Sequence, residues 1–323
     1  LIHARRLSRG YRHRAKEIEA VREVDLDVAQ GELVALLGPN GAGKSTLLRM
    51  LTTLLPPSAG SATVAGHDIV TDPAGVRSRI GYVGQRNAAG EEQRVHDELV
   101  LHGLWYGLSG SAARRRADEV VELLDLGEVA GRKPGTLSGG QRRRLDIAFG
   151  MVHHPPLLFL DEPSTGLDPQ SRADVWRHVL RLRRERGTTI VLTTHYLDEA
   201  DDMAERVIVI DHGRVIADGT AERLKDDLAG DRITVTLSDP EQGARAAGIA
   251  ARIEGTGEVE IDGSDIRVRV PRADRALPRH LRELEAAGIE VSAARGHRPT
   301  LDDVFLALTG RSLEETNRQE VAA

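Results

Sequence analysis

The sequence contains no cysteine, which excludes disulfides, thiolate metal sites and cysteine nucleophiles. It also lacks any apolar run near the roughly 18–20 residues that a membrane-spanning helix needs. Leu33 to Leu37 and Leu157 to Leu160 are only of buried-strand length, so a membrane role would come through a partner. Lysine is scarce, with 4 against 40 arginines, a bias that fits a GC-rich bacterial genome better than a function. A formal net charge of -6 argues against a general nucleic-acid binder, which carries a basic face. No Arg-then-apolar leader follows Leu1, and a cytosolic chain is expected. What is present is ordinary for a folded protein: 323 residues, 40% hydrophobic and 29% charged, enough for two domains of roughly 100–200 residues each.

Short apolar runs bounded by Gly, Pro or polar residues recur at Leu33–Leu37, Leu157–Leu160, Ile190–Thr193 and Val207–Ile210, as in parallel strands buried on both faces. Helical spacing marks 112–126 through Val120, Leu123 and Leu124, and 171–186 through Val175, Val179 and Leu182. The rhythm breaks near Gly230. The tail reads as strand 233–237, helix 241–252, strands 259–262 and 266–270, helix 273–287 and strand 289–293, a βαββαβ order of the ferredoxin-like kind. A last apolar helix, 300–308, is expected to close the small domain's core with Val304, Phe305 and Leu308, and the final dozen residues to fray.

Gly38-Pro39-Asn40-Gly41-Ala42-Gly43-Lys44-Ser45 fits G-x4-G-K-[ST] between an apolar strand and a helix expected at 46–54, the context of a phosphate-binding P-loop. Glycines let backbone N–H groups turn inward around phosphate oxygens, and the helix start at Thr46 adds partial positive charge. Lys44 would reach the β- and γ-phosphates, and the Ser45 hydroxyl would coordinate Mg²⁺. The strand Leu157–Leu160 ends in Asp161-Glu162, which puts carboxylates at the ligand-binding edge of such a sheet. Asp161 suits Mg²⁺ held through water, and Glu162 suits a base that orients and deprotonates an attacking water.

Leu137-Ser138-Gly139-Gly140-Gln141 stands between these elements, and with it the sequence resembles the ATP-binding subunit of an ABC transporter over residues 1–228. Gln85 matches the family's Q-loop, Ser164-Thr-Gly-Leu-Asp168 its D-loop, and His195 its switch histidine. Tyr11 sits where the family stacks an aromatic ring on adenine, although Arg12-His13-Arg14 replaces the usual glycine and short turn. The resemblance implies a RecA-like parallel-sheet core with a helical signature subdomain at about 86–155, and an α+β domain at 229–323. It implies head-to-tail pairing with a second ATP-binding subunit, so that Ser138, Gly139, Gly140, Gln141 and Asp168 serve the ATP held by the partner's P-loop. It further implies that Gln85 touches Mg²⁺ or the attacking water and that His195 contacts the γ-phosphate.

The tail Thr300-Leu-Asp-Asp-Val-Phe-Leu-Ala-Leu-Thr-Gly310, together with 76–82 and 193–200, looks like the daunorubicin-resistance type of drug exporter. That likeness implies ATP-driven export of a hydrophobic drug or antibiotic by a separately encoded permease, with this chain peripheral on the cytoplasmic face of the membrane and no nucleic acid involved. The segment 86–93, with Asp97-Glu98-Leu99 in place of the usual Glu-Asn-Leu, departs from the pattern where the permease docks. Residues 86–136 are too short for the coiled-coil or zinc insertion of a DNA-repair relative, and a soluble translation or regulatory factor usually carries two cassettes on one chain. The runs Arg114–Arg116 and Arg142–Arg144 are expected to be solvated helix faces or partner contacts.

Overall fold

The computed structural model describes residues 1–13, 16–86, 88–253, 255–257 and 259–313. Arg14, Asn87 and all but the first two of the final dozen residues expected to fray lie outside them; those two, Ser312 and Leu313, are hydrogen-bonded to Asp302, and Leu313 is buried. The chain divides into two compact units, Leu1–Thr220 and Ala221–Ala323.

In the first unit a six-stranded sheet runs in the order Arg214–Gly219, Arg206–Asp211, Leu33–Leu37, Thr189–Thr194, Leu157–Asp161, Ile80–Val83. All neighbours are parallel except the antiparallel edge pair of Arg206–Asp211 with Arg214–Gly219. Every residue of Leu33–Leu37, Leu157–Asp161 and Thr189–Thr194 is buried, which is why these strands read as unbroken apolar runs. The order puts four carboxyl ends side by side: those that lead into the phosphate loop, His195, Glu162 and Gln85.

A second sheet, antiparallel, pairs Ile2–His13 with Lys16–Val28 and with Ala59–Val64. It escaped the sequence reading because only one face is apolar: Ile2, Ala4, Leu7, Val24, Leu26 and Val28 are buried, with charged residues between them. Helix Gly110–Leu123 starts two residues before the expected span, where Ser109 accepts a hydrogen bond from the Ala112 amide, and it ends earlier. The helix expected at 46–54 runs Lys44–Leu51; Thr52 closes it, its hydroxyl donating to the Leu48 carbonyl at 2.9 Å.

The arginine runs are not simply solvated. Arg116 donates to the carbonyls of Val152 (3.1 Å) and Met151 (3.2 Å) at the end of the helix Gly139–Met151. Arg144 binds those of Leu124 and Asp125, both at 2.9 Å, just past the helix Gly110–Leu123. Arg143 is buried. Helix ends leave carbonyls unsatisfied, and a planar guanidinium with several donors suits them better than water does.

In the second unit four antiparallel strands are ordered Val259–Asp262, Asp265–Val270, Asp231–Leu237, Val291–His297, the ferredoxin-like arrangement. Ile233, Val235, Leu237, Ile266, Val268 and Val270 form the core face with Ala246, Ala250 and Leu284 from the helices Gly243–Ala250 and Ala273–Ala286. The last strand starts two residues later than the expected 289–293 and runs on to His297, because its residues are small or polar on a largely exposed edge and show no apolar alternation. The helix Leu301–Thr309, capped by Thr300, lies against the helical segment 221–229, so Val304 and Phe305, both fully buried, close the unit from that side. Leu308 is only partly buried.

Two measurements follow. Phe305→Ala should destabilise the second unit by about 3–5 kcal/mol, seen as an earlier step in urea unfolding followed by circular dichroism; a loss below about 1 kcal/mol would mean that the helix is not part of the packing. His153, whose Nε2 lies 3.0 Å from the Ile80 carbonyl, is pushed down to about 4 by burial. The unfolded chain therefore binds a proton that the folded chain refuses between about pH 6.5 and 4, so stability falls as pH drops through that window. His153→Gln should flatten part of that slope.

Candidate nucleotide site

The phosphate loop is shaped by close approach. A Cβ on Gly38 would meet the Ile210 carbonyl oxygen at 2.1 Å, and one on Gly43 the Ala20 carbonyl oxygen at 2.2 Å; Gly43 also has φ +107°. Only glycine fits either place. The helix Lys44–Leu51 begins directly after Gly43 with no side-chain cap, so its first N–H groups remain available to an anion. Lys44 is buried at 4% exposure, its ammonium donating to the carbonyls of Gly38 (2.7 Å) and Pro39 (2.9 Å). Asn40, Gly41, Ala42, Gly43, Lys44, Ser45 and Thr46 line one cleft with Ala20, Gln85 and Glu162.

Under this cleft lies Asp161, fully buried. Its Oδ1 accepts from Ser45 Oγ at 2.8 Å and from Thr193 Oγ1 at 2.7 Å, while Oδ2 is buried with no hydrogen-bond partner. Gln85 Nε2 reaches Ser45 Oγ at 3.4 Å. A buried carboxylate oxygen without a hydrogen bond is costly, and a hard cation beside these oxygen donors would satisfy it. Among the described residues no cluster of three or more His, Cys, Asp or Glu could hold a metal by itself. Mg²⁺ needs none, since it is held by one or two carboxylates with substrate phosphates and water.

Glu162 has φ +49°, a left-handed backbone rarely adopted by a residue with a side chain. Thr193 Oγ1 accepts from its amide at 2.9 Å. One carboxylate oxygen lies 3.4 Å from His195 Nδ1, and the other accepts from Thr165 Oγ1 at 3.2 Å. Burial pushes this carboxyl up, but His195, Lys44 and Thr165 together hold it below its ordinary value, so it is ionised at neutral pH.

The remaining expected residues do not line the cleft. Tyr11 lies on the strand Ile2–His13, 38% exposed, with the Arg9 guanidinium 5.2 Å from its ring. Ser138 caps the helix Gly139–Met151 in a reciprocal box with Gln141: Gln141 N donates to Ser138 Oγ at 3.3 Å and Ser138 N to Gln141 Oε1 at 3.0 Å. Asp168 caps the helix Pro169–Arg186, accepting from the Ser171 amide at 2.9 Å and hydroxyl at 2.6 Å. Ser171 in turn lies so close to Gly140 that a Cβ there would meet its Oγ at 2.8 Å. Gly139 faces Leu167, so 138–141 and Asp168 gather as a second group. Sequence reasoning gave no site role to Ala20, Thr193 or Arg143 and none to Thr165 beyond its place in the D-loop motif; the threonines closing the strand Thr189–Thr194 were the one visible signal.

A phosphate loop, an acidic strand end, a glutamine and a histidine on adjacent parallel strands, with a capped Ser-Gly-Gly-Gln turn apart from them, define an ATPase of the ABC class. The model of the ABC transporter family matches residues 21–165, and that of the DrrA1-3-like ATP-binding protein C-terminal domain matches 219–309. The chain is 45% identical to the daunorubicin resistance ATP-binding protein DrrA2 of Streptomyces coeruleorubidus, over 97% of this chain and 99% of that protein. It is 44% identical to the daunorubicin/doxorubicin resistance ATP-binding protein DrrA of Streptomyces peucetius, over 94% and 92%. Among solved structures, a dimeric post-hydrolysis ATP-binding cassette, MJ0796, bound to ADP and Pi aligns with a TM-score of 0.62 at 27% identity, over 68% of this chain and 98% of that one. The chain belongs to the DrrA-like family of ABC transporter ATP-binding proteins, and it binds and hydrolyses ATP. Subunits of this family pair and work with membrane permeases.

Gly43→Ala should raise the ATP Kd about tenfold or more, since strain of about 1–3 kcal/mol falls on the loop itself. Calorimetry on variant protein with an unchanged circular dichroism spectrum checks this, and a Kd within twofold of the parent would show slack in the loop.

Proposed function

We propose that this chain powers the export of a hydrophobic drug or antibiotic through a separately encoded permease, docked as a peripheral subunit on the cytoplasmic face of the membrane. The observation that carries the ATPase half is the cleft lined by Lys44, Ser45, Gln85 and Glu162, with Asp161 hydrogen-bonded to Ser45 and His195 beside Glu162, while the Ser138–Gln141 turn lies elsewhere. The names of the relatives support the cargo: those from Streptomyces coeruleorubidus and Streptomyces peucetius are daunorubicin or doxorubicin resistance proteins. Among the described residues no helix is long and apolar enough to cross a membrane, which fits a permease on another chain.

In this reading the amides of 41–46 and the Lys44 ammonium bind the β- and γ-phosphates, Lys44 leaving its loop carbonyls for phosphate oxygens. Ser45, Asp161 and Gln85 would hold Mg²⁺, which when bound neutralises charge on those oxygens. Glu162 accepts the proton of the attacking water, and His195 keeps its carboxylate aimed and ionised and meets the γ-phosphate. Ser138, Gly139, Gly140 and Gln141 complete the site of a second copy or close relative, with Asp168 at the junction, and Tyr11 stacks on adenine. Release of the γ-phosphate removes the contacts that hold the pair closed, and this drives the permease.

Glu162→Gln should keep ATP affinity but lower kcat about 10²-fold or more and accumulate an ATP-bound dimer, read by phosphate release and light scattering; normal turnover would remove Glu162 as the base. Lys44→Ala should weaken ATP binding at least tenfold, and unchanged affinity would count against the loop. The transport half is checked by fractionation: the chain should sediment with membranes only when its permease is co-expressed.

A further inference from the structure

Arg143 is only 7% exposed, yet none of its hydrogen bonds goes to a carboxylate. Its Nε donates to the Pro163 carbonyl at 2.7 Å, Nη1 to the Gly84 carbonyl at 2.7 Å, and Nη2 to those of Asp161 at 3.1 Å and Glu162 at 3.2 Å. We propose that Arg143 is a positioning residue for hydrolysis: it gathers the carbonyls of 161–163 and so holds Glu162 in the left-handed backbone that aims its carboxylate into the cleft. The inference rests on the reading of Glu162 as the base.

Successive carbonyls of an extended strand point to opposite sides, so one guanidinium cannot take three in a row. It can only if the chain turns between them, and the φ of +49° at Glu162 is that turn. The guanidinium and the unusual backbone are therefore two sides of one arrangement. The bond to Gly84 ties the residue before Gln85 to the same side chain, and Asp146, one turn along the same helix, accepts from the Ala88 amide at 2.9 Å. The helix that starts at the Ser138–Gln141 turn thus holds the Gln85 loop at Gly84 and Ala88 and, through the same Arg143, the Glu162 turn. Lysine cannot substitute: its three donors radiate from one nitrogen, whereas the guanidinium spreads five over a rigid fork.

The test is a double-mutant cycle on the full chain with R143K, R143Q, E162Q and R143K/E162Q. The readouts are kcat and KM for ATP hydrolysis, Kd for a fluorescent ATP analogue, and melting curves. R143K and R143Q should lose about tenfold to hundredfold in kcat with Kd within about twofold, because Arg143 makes none of its hydrogen bonds to the loop 40–46. In the E162Q background R143K should add nothing further, since both changes remove the same proton transfer. A wild-type kcat in R143K, a kcat and Kd that fall together, an additive loss in the double variant, or failure of both Arg143 variants to fold would each overturn the proposal. Normal turnover by E162Q would instead strike the reading of Glu162 itself, and this distinguishes the two failures.

Discussion

The site depends on a buried aspartate side chain that is only half satisfied by hydrogen bonds. Asp161 lies buried at the carboxyl end of its strand, beneath the cleft, where a carboxylate is tolerable only if it is hydrogen-bonded or faces a cation. Ser45 and Thr193 satisfy one oxygen, tying the phosphate loop and the neighbouring strand to the acidic one, and the other oxygen is buried without a hydrogen bond. The sheet order makes this possible, because Thr189–Thr194 lies between Leu33–Leu37 and Leu157–Asp161 and brings Thr193 within reach of both Asp161 and the Glu162 amide. A sheet with those strands separated would place the same residues too far apart to share one carboxylate.

Arginine does a second kind of work in this chain. Where the basic runs suggested solvated faces, Arg116, Arg143 and Arg144 turn inward to main-chain carbonyls. Arg183 does the same at Gly31, at 2.9 Å. Each satisfies acceptors that a helix end or a turn leaves open, and each joins elements distant in sequence. A composition bias without functional meaning as a whole can still supply individual residues that the fold uses.

Much of the candidate site was legible because its chemistry requires fixed spacing within short segments: a phosphate loop between strand and helix, two acids at a strand end, a Ser-Gly-Gly-Gln turn. The parallel core was legible because strands buried on both faces are apolar throughout. The antiparallel sheet near the start was not, since one wet face hides the alternation among charges, and the last strand, expected at 289–293, was placed a few residues early because its alanines and polar residues show no alternation. The ends of helices moved by a few residues wherever a side-chain cap decided them, as at Ser109 and Thr52. Arg143 and Thr193 were missed for another reason: their partners lie about 20 or more residues away and belong to the fold, not to any local pattern.

All four acceptors of Arg143 are backbone oxygens, which every residue type supplies alike. The demand this arginine makes is therefore recorded at position 143 alone and leaves no matching preference at Gly84 or Pro163. Paired substitutions across a family, the usual trace of a contact, would be silent about it. A residue that holds a reaction centre through main-chain atoms is visible to geometry and to mutation, and invisible to covariation.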